Sequence, residues 1–284
     1  MSQLVQVTTT DGVRLDGLLQ TPPAAAPSAE SAVDAWLLLH GTGSNFYSGS
    51  LLGSMAARLL CTGAAVLRVN TRGHDFVSAG SAPRGPLWLG AAFERVYDSP
   101  QDVTAWIEML VAGGYGRIGI LGHSLGAVKA IYTLAQSPLP NVKLLVAVSP
   151  PRLSYSHYVA SSRASDFLQT FADAERHAAD ARGDALMQVK FPLRYLVSAD
   201  AYMDRYGPAE RYNVLKLIRS LACPTLFTYG SQELQADVSF AGMPEAIMAQ
   251  TSGTGIVQVA VVAGADHLYS GVHDALYGRV ERWL

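Results

Sequence analysis

The chain has 284 residues, 49% of them apolar and 15% charged, with a formal net charge of −2. That balance fits one large globular domain with a sizeable core and excludes an intrinsically disordered chain. Without a basic excess there is no electrostatic footprint for nucleic acid or for an anionic membrane surface.

Leu4 to Leu19 reads as an antiparallel hairpin turning at Asp11-Gly12. An Ala/Pro-rich loop follows over residues 21–31. From Ala35 to about Val148, apolar strands alternate with amphipathic helices, the pattern of a parallel sheet covered on both faces. Trp36 to Leu39 is the first buried strand, and it breaks into His40-Gly41-Thr42-Gly43-Ser44-Asn45. A glycine-containing loop there lies at the carboxyl edge of the sheet, where open α/β sheets bind ligands. The side chain of His40 is expected to bond the loop backbone, and Asn45 and Phe46 to border a substrate. In the loop Asn70-Thr71-Arg72-Gly73-His74-Asp75, Arg72 is expected to bond loop carbonyls and pair with Asp75.

Ile118 to Leu121 is a second apolar run, and it ends in Gly122-His123-Ser124-Leu125-Gly126. With 26 glycines in the chain, a chance Gly-x-Ser-x-Gly arises in roughly one such sequence in five. Context gives this one its weight. A strand precedes it, and Ala127, Val128, Ala130, Ile131 and Leu134 continue at helical spacing. The glycines permit a sharp strand-to-helix turn that projects the serine hydroxyl beside the positive end of a helix. Ser124 is therefore the candidate nucleophile. The backbone N–H groups of Leu125 and Thr42 are the candidate oxyanion hole.

The next strand, Leu144 to Val148, ends in Ser149-Pro150-Pro151 and offers no carboxylate. Alternation then stops from Pro150 to about Arg219. This stretch holds a strong helix former around Phe167, Phe171 and Ala172–Ala181, and it reads as a helical cap inserted at residues 150–219. Tyr155 and Tyr158 are its candidate substrate contacts, with Tyr195, Tyr202, Tyr206 and Tyr212 further along. The core resumes at residue 220. Cys223 to Gly230 is a strand followed by Ser231-Gln232-Glu233, and Gly255 to Val262 is the last strand, followed by Ala265-Asp266-His267. A histidine on a loop past the last strand can reach the nucleophile, which makes His267 the candidate base. Glu233 is the candidate acid, with Asp237 and Asp266 as rivals.

His40-Gly41, Gly122-His123-Ser124-Leu125-Gly126 and Ala265-Asp266-His267, in this order, resemble the α/β-hydrolase superfamily over nearly the whole chain. The Arg72-Gly73 turn is similar to one seen in many members. His40 to Tyr47 and Tyr206-Gly207-Pro208 resemble a branch related to fungal siderophore esterases. The resemblance implies an α/β-hydrolase fold, a mostly parallel sheet flanked by helices, and a serine hydrolase. It departs from the commoner pattern at Glu233, where Asp is usual.

The expected activity is cleavage of a carboxylic ester or thioester of a small molecule through an acyl-enzyme on Ser124. An acyltransferase or cyclising thioesterase would use the same residues, and a non-catalytic binding protein could share the fold. No His/Cys/Asp/Glu cluster has metal-ligand spacing and no dinucleotide fingerprint follows a strand, so neither metal nor cofactor is expected. Cys61 and Cys223 are too few for a disulfide framework and read as small buried hydrophobes. No signal pattern opens the chain and no apolar run approaches ~18 residues, so a cytoplasmic protein without a membrane span is expected.

Overall fold

The computed structural model describes residues 1–22, 31–49, 51–83, 85–251 and 255–284. Most of the expected Ala/Pro loop, residues 23–30, lies outside the described residues. Strands β1 (Ser2–Thr8) and β2 (Arg14–Gln20) pair antiparallel about the Asp11-Gly12 turn. There Gly12 takes a φ of 87°, which a side chain would disfavour. Next come β3 (Ala35–Leu39), α1 (Leu51–Leu60) and β4 (Ala65–Val69). A small hairpin of β5 (Ser78–Ala82) and β6 (Gly85–Leu89) interrupts the alternation before α2 (Ser99–Ala112). Then follow β7 (Ile118–His123), α3 (Leu125–Gln136) and β8 (Val142–Val148).

The segment after β8 holds α4 (Tyr155–Val159), α5 (Ala164–Ala179), β9 (Leu186–Val189), β10 (Tyr195–Ser198), α6 (Ala199–Tyr206) and α7 (Val214–Leu217). It is not wholly helical as expected, because β9 and β10 form an antiparallel hairpin. Period-two alternation in Leu186-Met187-Gln188-Val189, with Met187 and Val189 buried, makes that stretch a strand. The chain ends with β11 (Thr225–Gly230), α8 (Ser231–Ala236), α9 (Met243–Thr251), β12 (Val257–Val262) and α10 (His273–Trp283).

Eight strands form one sheet in the order β1-β2-β4-β3-β7-β8-β11-β12, parallel from β4 to β12 and antiparallel at the β1 and β2 edge. The apolar runs expected to be central are central. In β3, Leu37 and Leu39 join the core layer beneath α2 and α3, while Trp36 and Leu38 join the opposite layer with α1 and α10. The indole of Trp36 covers Gly119 on β7, where a Cβ would come within 2.6 Å of the ring. The chain runs from β3 outward to β4 and later returns to lay β7 on the other side of β3. That change of direction opens a crevice beyond the carboxyl ends of β3 and β7, the usual ligand position in such sheets. Among the described residues no helix is long and apolar enough to cross a membrane.

Candidate active site

Ser124 occupies the turn between β7 and α3 at φ 56° and ψ −123°, a region that costs a non-glycine residue about 1–3 kcal/mol. Its neighbours make the turn possible. A Cβ on Gly126 would lie 2.3 Å from the Leu39 carbonyl oxygen, and one on Gly122 would lie 2.6 Å from the Ala127 backbone. Helix α3 therefore starts directly against the end of β3, and the hydroxyl of Ser124 stands in the crevice.

His267 lies on the loop after β12, with Nε2 3.0 Å from Ser124 Oγ and Nδ1 2.7 Å from Glu233 Oε2. A carboxylate can only accept, so Nδ1 carries the proton and Nε2 is left to receive one from the serine. The imidazole is packed between the rings of His123 and Phe240, at centroid distances of 4.9 and 4.8 Å. Nε2 of His123 also donates to the His267 carbonyl at 2.9 Å. Burial, reinforced by His267, holds His123 down to about 3, so this ring stays neutral.

Glu233 is fixed as firmly as the histidine. Its Oε1 accepts from Ser149 Oγ at 2.5 Å and from the Gly230 N–H at 2.6 Å, the latter capping α8. Tyr269 donates to Ser149 at 2.9 Å, and Thr228 lies 3.2 Å from the Tyr269 hydroxyl. The result is a line of buried hydroxyls all directed at one carboxylate oxygen, which leaves the other oxygen for His267.

The loop after β3 is held from behind. The Thr71 N–H donates to Nε2 of His40 at 3.1 Å, which places the His40 proton on Nδ1, and Nδ1 donates to the Gly41 carbonyl at 2.8 Å. Burial, with the Lys129 ammonium nearby, keeps His40 neutral by lowering it to about 3. In a trans peptide the Thr42 N–H points opposite to the Gly41 carbonyl, so the bond to His40 turns that N–H away from the core. Behind Thr71 stands Lys129, fully buried on α3, which donates to Thr71 Oγ1 at 2.8 Å and pairs with Glu94. Burial alone would raise the Glu94 carboxyl, but Lys129 and Arg205 outweigh it and hold it below the usual range.

These groups border a cavity of about 310 Å³, lined by Ser124, His267, Thr42 and Leu125 on the sheet side. Its other walls come from Phe240 and from Leu153, Tyr158, Leu193, Arg205 and Tyr206 of the segment after β8. Leu125 is the first residue of α3, so its N–H is one of those left unpaired inside the helix. The arrangement can take a proton from Ser124 in a space that Thr42 and Leu125 also line.

The sequence profile of the alpha/beta hydrolase family matches residues 36–282. The chain belongs to the alpha/beta hydrolase family. Among solved structures, this hydrolase is similar to the esterase Est1E from Butyrivibrio proteoclasticus, described with ferulic acid bound. That likeness has a TM-score of 0.67 at 14% identity, over 98% of this chain and 97% of that one. It is similar to the alpha/beta hydrolase GrgF from Penicillium sp. sh18, with a TM-score of 0.67 at 13% identity over 100% and 98% of the two chains. The Pyrococcus furiosus esterase Pf2001 gives a TM-score of 0.61 at 19% identity, over 100% and 91%. At such identities the likeness is one of fold. No curated protein sequence matches the chain.

The hydrolase brings together Ser124, His267, Glu233, Thr42 and Leu125, and Tyr158 lines the same cavity. It does not bring Asn45, Phe46 or Tyr155 to the cavity lining. Asn45 is buried and donates to Asp75, while its carbonyl accepts from the N–H groups of Tyr47 and Ser48. Phe46 packs edge-on against Tyr47, and Tyr155 packs against Phe167 and Phe171. Arg72 does not pair with Asp75. It forks onto Asp102 at 2.7 and 2.9 Å and reaches Asp11 at 2.9 Å, tying the first hairpin's turn to α2. Asp75 instead holds Asn45, Tyr47 and His74. Cys223 is buried as expected, but Cys61 is exposed, just past the end of α1. The supporting roles of Ser149, Tyr269, His123 and Phe240 were not assigned from the sequence. Tyr269 lies two residues from the histidine, yet only the fold shows that its hydroxyl turns inward.

Proposed function

We propose that the protein is a serine hydrolase that cleaves a carboxylic ester or thioester of a small molecule. The observation that carries this reading is the unbroken line Glu233–His267–Ser124, at 2.7 and 3.0 Å, opening on a cavity bordered by the Thr42 and Leu125 backbones. Ser124 Oγ attacks the acyl carbon as His267 Nε2 takes its proton, and the charge that develops on the carbonyl oxygen is received by the N–H groups of Thr42 and Leu125. Glu233 stabilises the imidazolium. His267 then returns the proton to the leaving alcohol or thiol, and a water activated by the same nitrogen releases the acid from Ser124. The segment 150–219 acts as a cap whose Tyr158, Leu193 and Tyr206 shape the acyl or alcohol pocket. The esterase neighbours are consistent with this activity.

The test is hydrolysis of p-nitrophenyl esters of graded acyl length by the native protein and by Ser124→Ala. Removal of the attacking oxygen is expected to lower kcat about 10⁴- to 10⁶-fold with the fold intact by circular dichroism. Turnover within tenfold of native would overturn the mechanism.

A further inference from the structure

Arg205, on α6, contributes to the wall of the cavity that holds Ser124 and His267, yet only 2% of the residue is exposed. Its hydrogen bonds go to neutral oxygens, the Tyr195 hydroxyl at 2.8 Å, the Ala91 carbonyl at 3.5 Å and the Tyr206 hydroxyl. Its nearest paired carboxylate is Glu94 at 3.6 Å, beyond direct hydrogen-bond distance, and Glu94 is engaged more closely by Lys129. Lys129 and Arg205 thus share Glu94, and Lys129 holds it at the shorter distance. Three arginine Nε atoms are buried without a partner among the described residues, on Arg68, Arg152 and Arg205, and of these only Arg205 lines the cavity. A desolvated guanidinium with an unfilled donor is costly to leave so, and its planar fork matches a carboxylate.

The other charged groups of the lining are already engaged. Asp237 and Asp266 are partly exposed. Asp237 accepts from the Ser239 N–H at 2.8 Å, and Asp266 from the N–H groups of Leu268 and Ser270 at 3.0 and 2.9 Å. Glu233 is committed to His267. The remaining lining is largely apolar and aromatic, with Leu153, Leu193, Phe240, Tyr158 and Tyr206. Such a pocket suits an aliphatic chain that ends in a charge.

Resting on the serine-hydrolase reading, we infer that the preferred substrate carries a carboxylate on its acyl part, as in a monoester of an aliphatic dicarboxylic acid, and that Arg205 is the residue that receives it. The ester carbonyl lies at Ser124 and the chain runs along the apolar wall to the guanidinium. Truncating Arg205 leaves Glu94 paired with Lys129.

The experiment compares mono-p-nitrophenyl adipate with p-nitrophenyl hexanoate, and the suberate monoester with the octanoate. Each pair differs by a carboxylate in place of a terminal methyl. The native protein is expected to favour the carboxylate-bearing ester at least tenfold in kcat/KM. Arg205→Met should abolish that preference and Arg205→Lys retain part of it, with the fold of each variant checked by circular dichroism. A native preference for the neutral esters, or a preference unchanged in Arg205→Met, overturns the assignment and leaves the hydrolase reading standing. A second arm needs no catalysis. Adipate is titrated calorimetrically into Ser124→Ala and into Ser124→Ala/Arg205→Met, with binding expected in the first and a loss of at least tenfold in the second. Equal binding, or none in either, overturns the role of Arg205. Failure of the hydrolase reading itself would appear separately, as no turnover of any of the four esters.

Discussion

At the scale of single residues, Glu233 performs two tasks through two oxygens. Oε1 is saturated by Ser149 and the Gly230 N–H, so Oε2 is held toward His267. Glu233→Gln preserves the volume and can still accept at Gly230, but it then presents an amide N–H₂ to Nδ1. That favours the imidazole with its proton on Nε2, which cannot accept from Ser124, and it removes the charge that stabilises imidazolium. The expected result is a kcat lower by about 10²- to 10⁴-fold with a small change in KM. Asp237→Asn should cost far less, because the Asp237 carboxylate takes the Ser239 N–H and not the imidazole. Steady-state kinetics of the two variants distinguish them, and the reverse ranking would move the acid to Asp237. The residues that face the chemistry were legible in the sequence because strand ends, glycines and chain order constrain them. Ser149 and Tyr269 were not, since a hydroxyl's role depends on where its side chain turns once β8, β11 and the last loop are assembled. The partners of Arg72 show the same limit, because Asp11 lies 61 residues away along the chain.

At the scale of elements, α3 links the site to the core. Its first residues meet the end of β3, and one turn further on Lys129 enters a fully buried network with Thr71, Glu94 and, through Glu94, Arg205 of α6. Breaking a buried pair by removing one partner leaves an uncompensated charge, at a cost of about 3–5 kcal/mol. Glu94→Gln strands two buried cations, so urea unfolding should show a stability loss of that size. Adding Lys129→Met to the variant removes one of the cations and should restore part of it. A Glu94→Gln protein as stable as native would mean that the network contributes nothing to holding α3 against the loop of Thr71. The buried strands were readable from runs such as Trp36 to Leu39, since a parallel sheet covered on both faces admits little else. The hairpins β5–β6 and β9–β10 were not, being short, partly exposed and hidden within stretches that otherwise alternate or read as helical.

At the scale of the whole molecule, the buried histidines couple stability to pH. His123 and His40 each titrate near 3 in the folded chain, against about 6.5 when unfolded. Between those values the unfolded chain binds more protons, so stability is greatest above pH 6.5 and falls on acidification, by at most about 1.4 kcal/mol per pH unit for each ring. His123→Gln keeps a donor for the His267 carbonyl but cannot titrate. Its unfolding free energy should therefore fall less steeply than native between pH 6.5 and 5, and an identical or steeper fall would contradict a neutral, buried His123. The nucleophilic role of Ser124 Oγ is tested by labelling with a fluorophosphonate followed by peptide mass mapping. One phosphonyl group per chain is expected, attached at Ser124, formed by the native protein and absent from Ser124→Ala. A folded native protein that remains unlabelled, or a label carried by any other residue, would contradict it.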